Sequence, residues 1–94
     1  MKAIIIMGSS SDEPHAKKIT DKLDEYKILW EKHVASAHKQ PLSVLKILND
    51  NTETKEVVYI TIAGRSNALS GFVAANSEHP TIGCPPFSDK ADMI

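Results

Sequence analysis

Three short segments of this chain gather the side chains that bind anions or move protons. The first is Gly8-Ser9-Ser10-Ser11-Asp12. It follows an apolar run and precedes a helical pattern, so it reads as a strand-to-helix junction. Free backbone N–H groups and the positive end of the helix dipole make such a junction an anion site. Gly8 lets the backbone come close to a ligand, and three consecutive hydroxyls exceed what one cap needs. The same residues also have a structural use. Ser10 and Glu13 have the spacing of a capping box, and Asp12 is a rival N-cap. Ser9 and Ser11 are therefore candidate ligand contacts and Ser10 a candidate cap. Asp12 is either a cap or an acceptor for sugar hydroxyls. The lysine of a P-loop and the Gly-x-Gly-x-x-Gly pattern are both missing, which argues against an NTPase or a dinucleotide site.

The second segment is Ala35-Ser36-Ala37-His38-Lys39-Gln40-Pro41. An imidazole transfers protons near neutral pH, so His38 is a candidate general base or acid. Lys39 supplies a point charge suited to a phosphate. The alternative is that both are solvated loop residues. The third segment, Ala63-Gly64-Arg65-Ser66-Asn67-Ala68, offers small and hydrogen-bonding residues where bulky ones would fit, as a binding surface does. Arg65 is equally readable as an ion-pair partner. Of the remaining histidines, His15 falls in a first helical turn, His33 on an edge strand and His79 before Pro80, and these rank below His38. Cys84 has no base or metal partner next to it and reads as a small buried residue. No His/Cys/Asp cluster has metal-ligand spacing. Trp30 and Tyr59 read as core or interface.

These loops need elements to hold them. Lys2–Met7 and Val57–Ile62 are continuous apolar, β-branched runs, as in strands buried on both faces. Lys27–Val34 is mixed and suits an edge strand; Thr81–Cys84 is a short fourth strand. Residues 12–25 carry Ala16, Ile19, Leu23 and Tyr26 at helical spacing, with Pro14 tolerable in the first turn. Pro41 opens a second helix with Leu42, Leu45 and Leu48 on one face. Residues 68–78 form a third, with Leu69, Phe72, Val73 and Asn76, stopped by Pro80. The alternation β-α-β-α-β-α-β implies a parallel sheet with right-handed crossovers. Two buried strands and one edge strand give the flavodoxin-like order 2-1-3-4, a three-layer α/β/α architecture over 1–94 as one domain. In such sheets ligands bind beyond the carboxyl ends of the strands, where all three loops fall.

The chain has 94 residues, near the size at which oligomerisation often supplies stability. Eleven Lys and Arg against 12 Asp and Glu speak against a nucleic-acid-coating or membrane-surface role. A single cysteine excludes an internal disulfide. The apolar run Ala3–Met7 is too short to span a bilayer and has no signal-peptide flanks, so the expected compartment is the cytoplasm.

Gly8-Ser9-Ser10-Ser11-Asp12, Ser36-Ala37-His38-Lys39-Gln40-Pro41 and Ala63-Gly64-Arg65-Ser66-Asn67, taken in order, resemble the phosphoribosylaminoimidazole carboxylase catalytic subunit family (PurE) of purine biosynthesis. The first two motifs together are quite specific. The family comes in two kinds: a mutase acting on N5-carboxyaminoimidazole ribonucleotide, and an animal-type carboxylase using carbon dioxide directly. The mutase kind usually reads Ser-Ala-His-Arg and Ala-Gly-Gly-Ala-Ala-His-Leu-Pro-Gly. Lys39, Gly64-Arg65-Ser66-Asn67 and Cys84-Pro85-Pro86 resemble the direct-carboxylase kind, with Ala68 a departure where that kind has Gly. The resemblance implies that Ser9, Asp12 and Lys39 hold the ribose phosphate and that His38 transfers the proton. It also implies that Ser66 and the backbone of Asn67–Ala68 face carbon dioxide, with Gly8, Ser11, Ser36, Ala37, Gly64 and Arg65 completing the substrate contacts. It implies no metal or other cofactor, a small ribonucleotide and carbon dioxide as reactants, and a homo-octamer without nucleic acid or membrane. It further implies that a last strand and C-terminal helices lie beyond Ile94.

Two readings stand against it. A flavodoxin-like module would hold a flavin phosphate on the serine loop, but paired aromatics for stacking are missing near the loops. A receiver-type domain would end its third strand in Asp, whereas this one ends Ile62-Ala63-Gly64.

Overall fold

The computed structural model describes residues 1–63 and 68–85. Within these, four strands and three helices alternate: β1 (Lys2–Met7), α1 (Glu13–Glu25), β2 (Leu29–Val34), α2 (Pro41–Asp50), β3 (Val57–Ile62), α3 (Ala68–Asn76) and β4 (Thr81–Gly83). The strands form one parallel sheet in the order β2-β1-β3-β4, the flavodoxin-like arrangement.

β1 is the centre of the molecule. Ala3 through Met7 are at most 1% exposed, which is why five consecutive apolar residues stand there without alternation. Its even-numbered isoleucines, Ile4 and Ile6, pack with Tyr59 of β3, Val44 and Leu48 of α2, and Leu69 and Val73 of α3. Ala3, Ile5 and Met7 face the other way, against Ile60 and Ile62 of β3 and Ala16, Ile19 and Leu23 of α1. One helix therefore covers one face and two helices the other.

Each helix ends for a local reason. α1 closes in a Schellman motif: Ile28 N–H donates to the Leu23 carbonyl at 2.8 Å and Lys27 N–H to the Asp24 carbonyl at 3.0 Å. Lys27 sits at φ 59°, where glycine is the usual occupant. This turn starts β2 at Leu29 rather than at the expected Lys27. α2 begins with Pro41, whose missing N–H is not needed there, and ends where the Asn51 side chain donates to the Ile47 carbonyl at 2.8 Å. α3 ends in the same way, with the Asn76 amide on the Phe72 carbonyl at 2.8 Å. His79 Nε2 lies 3.0 Å from the Asn51 carbonyl oxygen and joins the two helix ends.

The helix faces differ from the expected stripes in two places. Tyr26 is 70% exposed because the helix has already closed at Glu25, and Thr20 is buried in its stead. In α2 the buried line is Val44 and Leu48, with Ile47 beside it, while Leu42 is 78% exposed. β2 is an edge, as its mixed composition implies. Its charges pair locally: Glu31 lies 3.1 Å from Lys2 Nζ and 3.3 Å from His33 Nε2, and Lys32 bonds Glu13 of α1.

Candidate active site

The register of the sheet decides where the loops meet. Met7 is the partner of Val34 on one side and of Ile62 on the other, so β2, β1 and β3 end level with one another. Gly8, Ala35 and Ala63, the residues that follow them, lie side by side at the carboxyl edge, on strand spacings of about 4.8 Å. Two bonds seal the junctions. Ala35 N–H donates to the Met7 carbonyl at 2.8 Å, and Gly8 N–H to the Ile62 carbonyl at 2.8 Å.

The segment after β1 is a single 3-10 turn, Ser10–Asp12, that runs into α1. Its cap is Ser9, not Ser10. The Ser9 Oγ accepts from the Ser11 N–H at 3.2 Å and lies 2.9 Å from the Ser11 Oγ. The capping box expected between Ser10 and Glu13 does not form, because the extra turn moves the helix start forward and leaves Ser10 exposed within it. Two hydroxyls share one bond, so one hydroxyl hydrogen remains for an outside acceptor. Asp12 precedes α1 but gives it no side-chain cap. Its side chain is largely buried, 9% exposed, and makes no hydrogen bond or ion pair among the described residues. Gly8 needs neither a positive φ nor space within the protein: a Cβ there would be 3.6 Å from the Ile62 carbonyl oxygen, an ordinary contact.

The segment after β2 is a closed turn. Gln40 N–H donates to the Ser36 carbonyl at 2.8 Å, and the Gln40 side chain accepts from Ser36 N–H at 3.3 Å. The Ser36 Oγ accepts from the N–H groups of His38 and Lys39 at 3.3 and 3.2 Å. Ser36 is thus a turn-forming residue whose hydroxyl oxygen accepts twice. Ala37 packs against the core and anchors the turn from below. His38 and Lys39 are exposed, and neither side chain bonds to a described residue. Ala68 opens α3 at the same end of the sheet. Gly64, Arg65, Ser66 and Asn67 lie outside the described residues.

Cys84 packs against the α1-side cluster, and burial raises its thiol pKa. A protonated, half-buried thiol fits the structural reading of this residue. Among the described residues no group of three His, Cys, Asp or Glu is placed to hold a metal, and no helix is long and apolar enough to cross a membrane.

A family model described as AIR carboxylase matches residues 2–94. The chain belongs to the AIR carboxylase family. Within it, the chain is 54% identical over 90 residues to a phosphoribosylaminoimidazole carboxylase of Archaeoglobus fulgidus, covering 96% of this chain and 49% of that protein. A protein of the same name from Treponema denticola is 48% identical over 87 residues, covering 92% of this chain and 55% of the other. The crystal structure of Treponema denticola PurE superposes with a TM-score of 0.89 at 47% identity, over 94% of this chain and 56% of that one. The chain spans about half the length of the curated AIR carboxylase relatives it matches.

Sequence reasoning on this AIR carboxylase domain placed the loops after β1 and β2 at the carboxyl edge of the sheet, where the register puts them, and did not find one contact beside them. The His15 ring, three residues after Asp12, reaches the Cys84 carbonyl oxygen at 3.1 Å. A lone histidine in a first helical turn carries no pattern that announces a partner 69 residues away.

Proposed function

We propose that this protein is a purine-biosynthesis enzyme that carboxylates 5-aminoimidazole ribonucleotide to its 4-carboxy product with carbon dioxide. The observation that carries the reading is the level ending of β2, β1 and β3. It brings the His38-Lys39 turn alongside the serine-capped start of α1. The names of the relatives and the sequence of the loops support the same reading.

On this reading the ribose phosphate lies at the start of α1. The free hydroxyl hydrogen of the Ser9–Ser11 pair, the helix dipole and the Lys39 ammonium meet its negative charge. Asp12 accepts from a sugar hydroxyl, which gives its otherwise unbonded carboxylate a partner. Gly8 leaves the backbone bare where the nucleotide approaches. The aminoimidazole ring carbon is nucleophilic, as in an enamine. It attacks the carbon of carbon dioxide, forming one C–C bond and a carboxylate. The ring carbon then carries both the new carboxylate and its original hydrogen. Neutral His38 takes that hydrogen as a proton, and the electron pair returns to the ring. Ser66 and the backbone of Asn67–Ala68 orient carbon dioxide. Holding two reactants in position supplies much of the rate. No cofactor is needed for this step, and the enzyme works as a cytoplasmic homo-oligomer, an octamer by family resemblance.

The test is a carboxylation assay on aminoimidazole ribonucleotide, supplied either with bicarbonate and carbon dioxide or as the N5-carboxylated isomer. Turnover with dissolved carbon dioxide and poor use of the isomer is expected. Ala68 stands where the mutase kind carries a second imidazole, and a methyl group moves no proton. Efficient turnover of the isomer with little of carbon dioxide reverses the assignment to the mutase. Binding of flavin with a yellow protein, and no turnover of either substrate, overturns the enzyme reading.

A further inference from the structure

His15 is half-buried in the first turn of α1, and its ring takes no part in capping that helix. It reaches across the sheet instead. Its Nε2 lies 3.1 Å from the Cys84 carbonyl oxygen, just past β4. A carbonyl only accepts, so Nε2 carries the hydrogen and donates it. The Cys84 N–H in turn donates to the Thr61 carbonyl of β3 at 2.8 Å. The exit of β4 is therefore held from two sides, by β3 through its amide and by α1 through its carbonyl.

The span matters. β3 lies between β1 and β4, so the end of β1 and the exit of β4 are two strand spacings apart, about 10 Å. α1 is tied by side-chain bonds to the β2 side of the sheet, through Glu13 with Lys32 and Asp24 with Trp30. Toward β3 and β4 the His15 bond is its one polar tie among the described residues. The rest of that contact is apolar packing, Ala16 and Cys84 against a common cluster, which resists sliding poorly. Asp12 is the residue just before α1 and His15 lies three residues on, so a movement of that first turn carries both.

We infer that His15 is a positioning residue of the nucleotide site: by holding the Cys84 carbonyl it fixes the first turn of α1 across the end of β3. The serine loop and Asp12 are thereby set at one distance from the chain leaving β3. The inference rests on the reading that the ribose phosphate lies on the serine loop.

Two variants separate donor from bulk. His15→Phe keeps a ring of similar volume without the donor. His15→Gln carries a carboxamide N–H at about the reach of Nε2. Two readouts follow each. The first is the rate at which Cys84 reacts with a disulfide reagent; it is the single cysteine of these 94 residues, and it needs no substrate. The second is KM and kcat with aminoimidazole ribonucleotide and carbon dioxide. Loss of one neutral hydrogen bond corresponds to a factor of about 2 to 10. His15→Phe is expected to quicken Cys84 reaction by that factor and to raise KM by a similar one with kcat nearly kept. His15→Gln is expected to restore both. An unchanged thiol rate in His15→Phe overturns the clamp whatever the activity. A quickened thiol with unchanged KM in an active enzyme overturns the positioning role. A wild-type protein that does not turn over the nucleotide overturns the functional reading and the positioning role with it, while the thiol rate still decides the clamp. If His15→Phe does not fold, His15→Leu takes its place.

Discussion

An imidazole and an ammonium adjacent in one turn have separable tasks, and substitution separates them. A lysine ammonium is a compact point charge suited to a phosphate, so the proposed role of Lys39 is to bind rather than to shuttle. Lys39→Ala is expected to raise the KM for the nucleotide about 10-fold or more with kcat largely kept, since a hydrogen bond to a charged group contributes about 1.5–3 kcal/mol. Lys39→Arg retains most activity. Loss of turnover at unchanged KM in Lys39→Ala would reverse the assignment. His38→Ala is expected to abolish turnover, by a factor of at least about 100, while nucleotide affinity measured by calorimetry stays nearly constant. Full activity in that variant removes His38 from the mechanism. On the proposed reading Ser9 has two roles at once, because its hydroxyl caps the turn and also belongs to the pair proposed to meet the phosphate. The triple serine shows in the sequence that one cap does not need three hydroxyls. Which serine caps depends on a single 3-10 turn, and propensity does not distinguish Ser9 from Ser10 across one residue.

The elements expose a second layer of testable chemistry. Lys27 occupies a left-handed conformation at the close of α1, where a Cβ is strained. Lys27→Gly is expected to raise stability by about 0.5–1 kcal/mol, a few degrees in the thermal midpoint, with Lys27→Ala showing no gain. A lower midpoint for the glycine variant would refute the cap assignment. At the β2 edge, burial pushes the Glu31 carboxyl up, but its bonds to Lys2 and His33 outweigh that and hold it below the ordinary value of 4.5. A depressed folded pKa stabilises above the unfolded value and is lost as pH falls through the folded one. The wild-type advantage over Glu31→Gln is therefore expected at neutral pH and to be lost at acid pH, as the pH falls through the lowered folded pKa. It stays under about 1 kcal/mol, since the side chain is 35% exposed and screened. Denaturant melts at the two pH values check both sign and size. At this scale the sequence was legible where burial is two-sided: β1 and β3 begin and end where their apolar runs do. It was less legible on amphipathic surfaces. Leu42 looks like core by type, yet the turn before Pro41 rotates α2 so that Val44 and Leu48 face the sheet. Lys27 looks like strand, yet the Schellman closure claims it.

Taken whole, the molecule leaves apolar surface that a free monomer of this size does not favour. Leu29, Leu42 and Val34 are 73%, 78% and 47% exposed, and β2 is a sheet edge. Open edges and exposed large aliphatics are sites of association. Light scattering coupled to size exclusion is expected to show a multi-subunit particle; a monomer at all concentrations would overturn the oligomer expectation. The central position of β1 has a further consequence, in the order of events as the chain is made. β1 leaves the ribosome before either of its two neighbours, Leu29–Val34 and Val57–Ile62. Until β3 has emerged, a run of Ala-Ile-Ile-Ile-Met has no second partner and exposes its backbone and one hydrophobic flank. The residues that make the core rigid in the finished protein are thus its most exposed hazard during synthesis, and this topology closes late, by long-range contacts rather than by local ones.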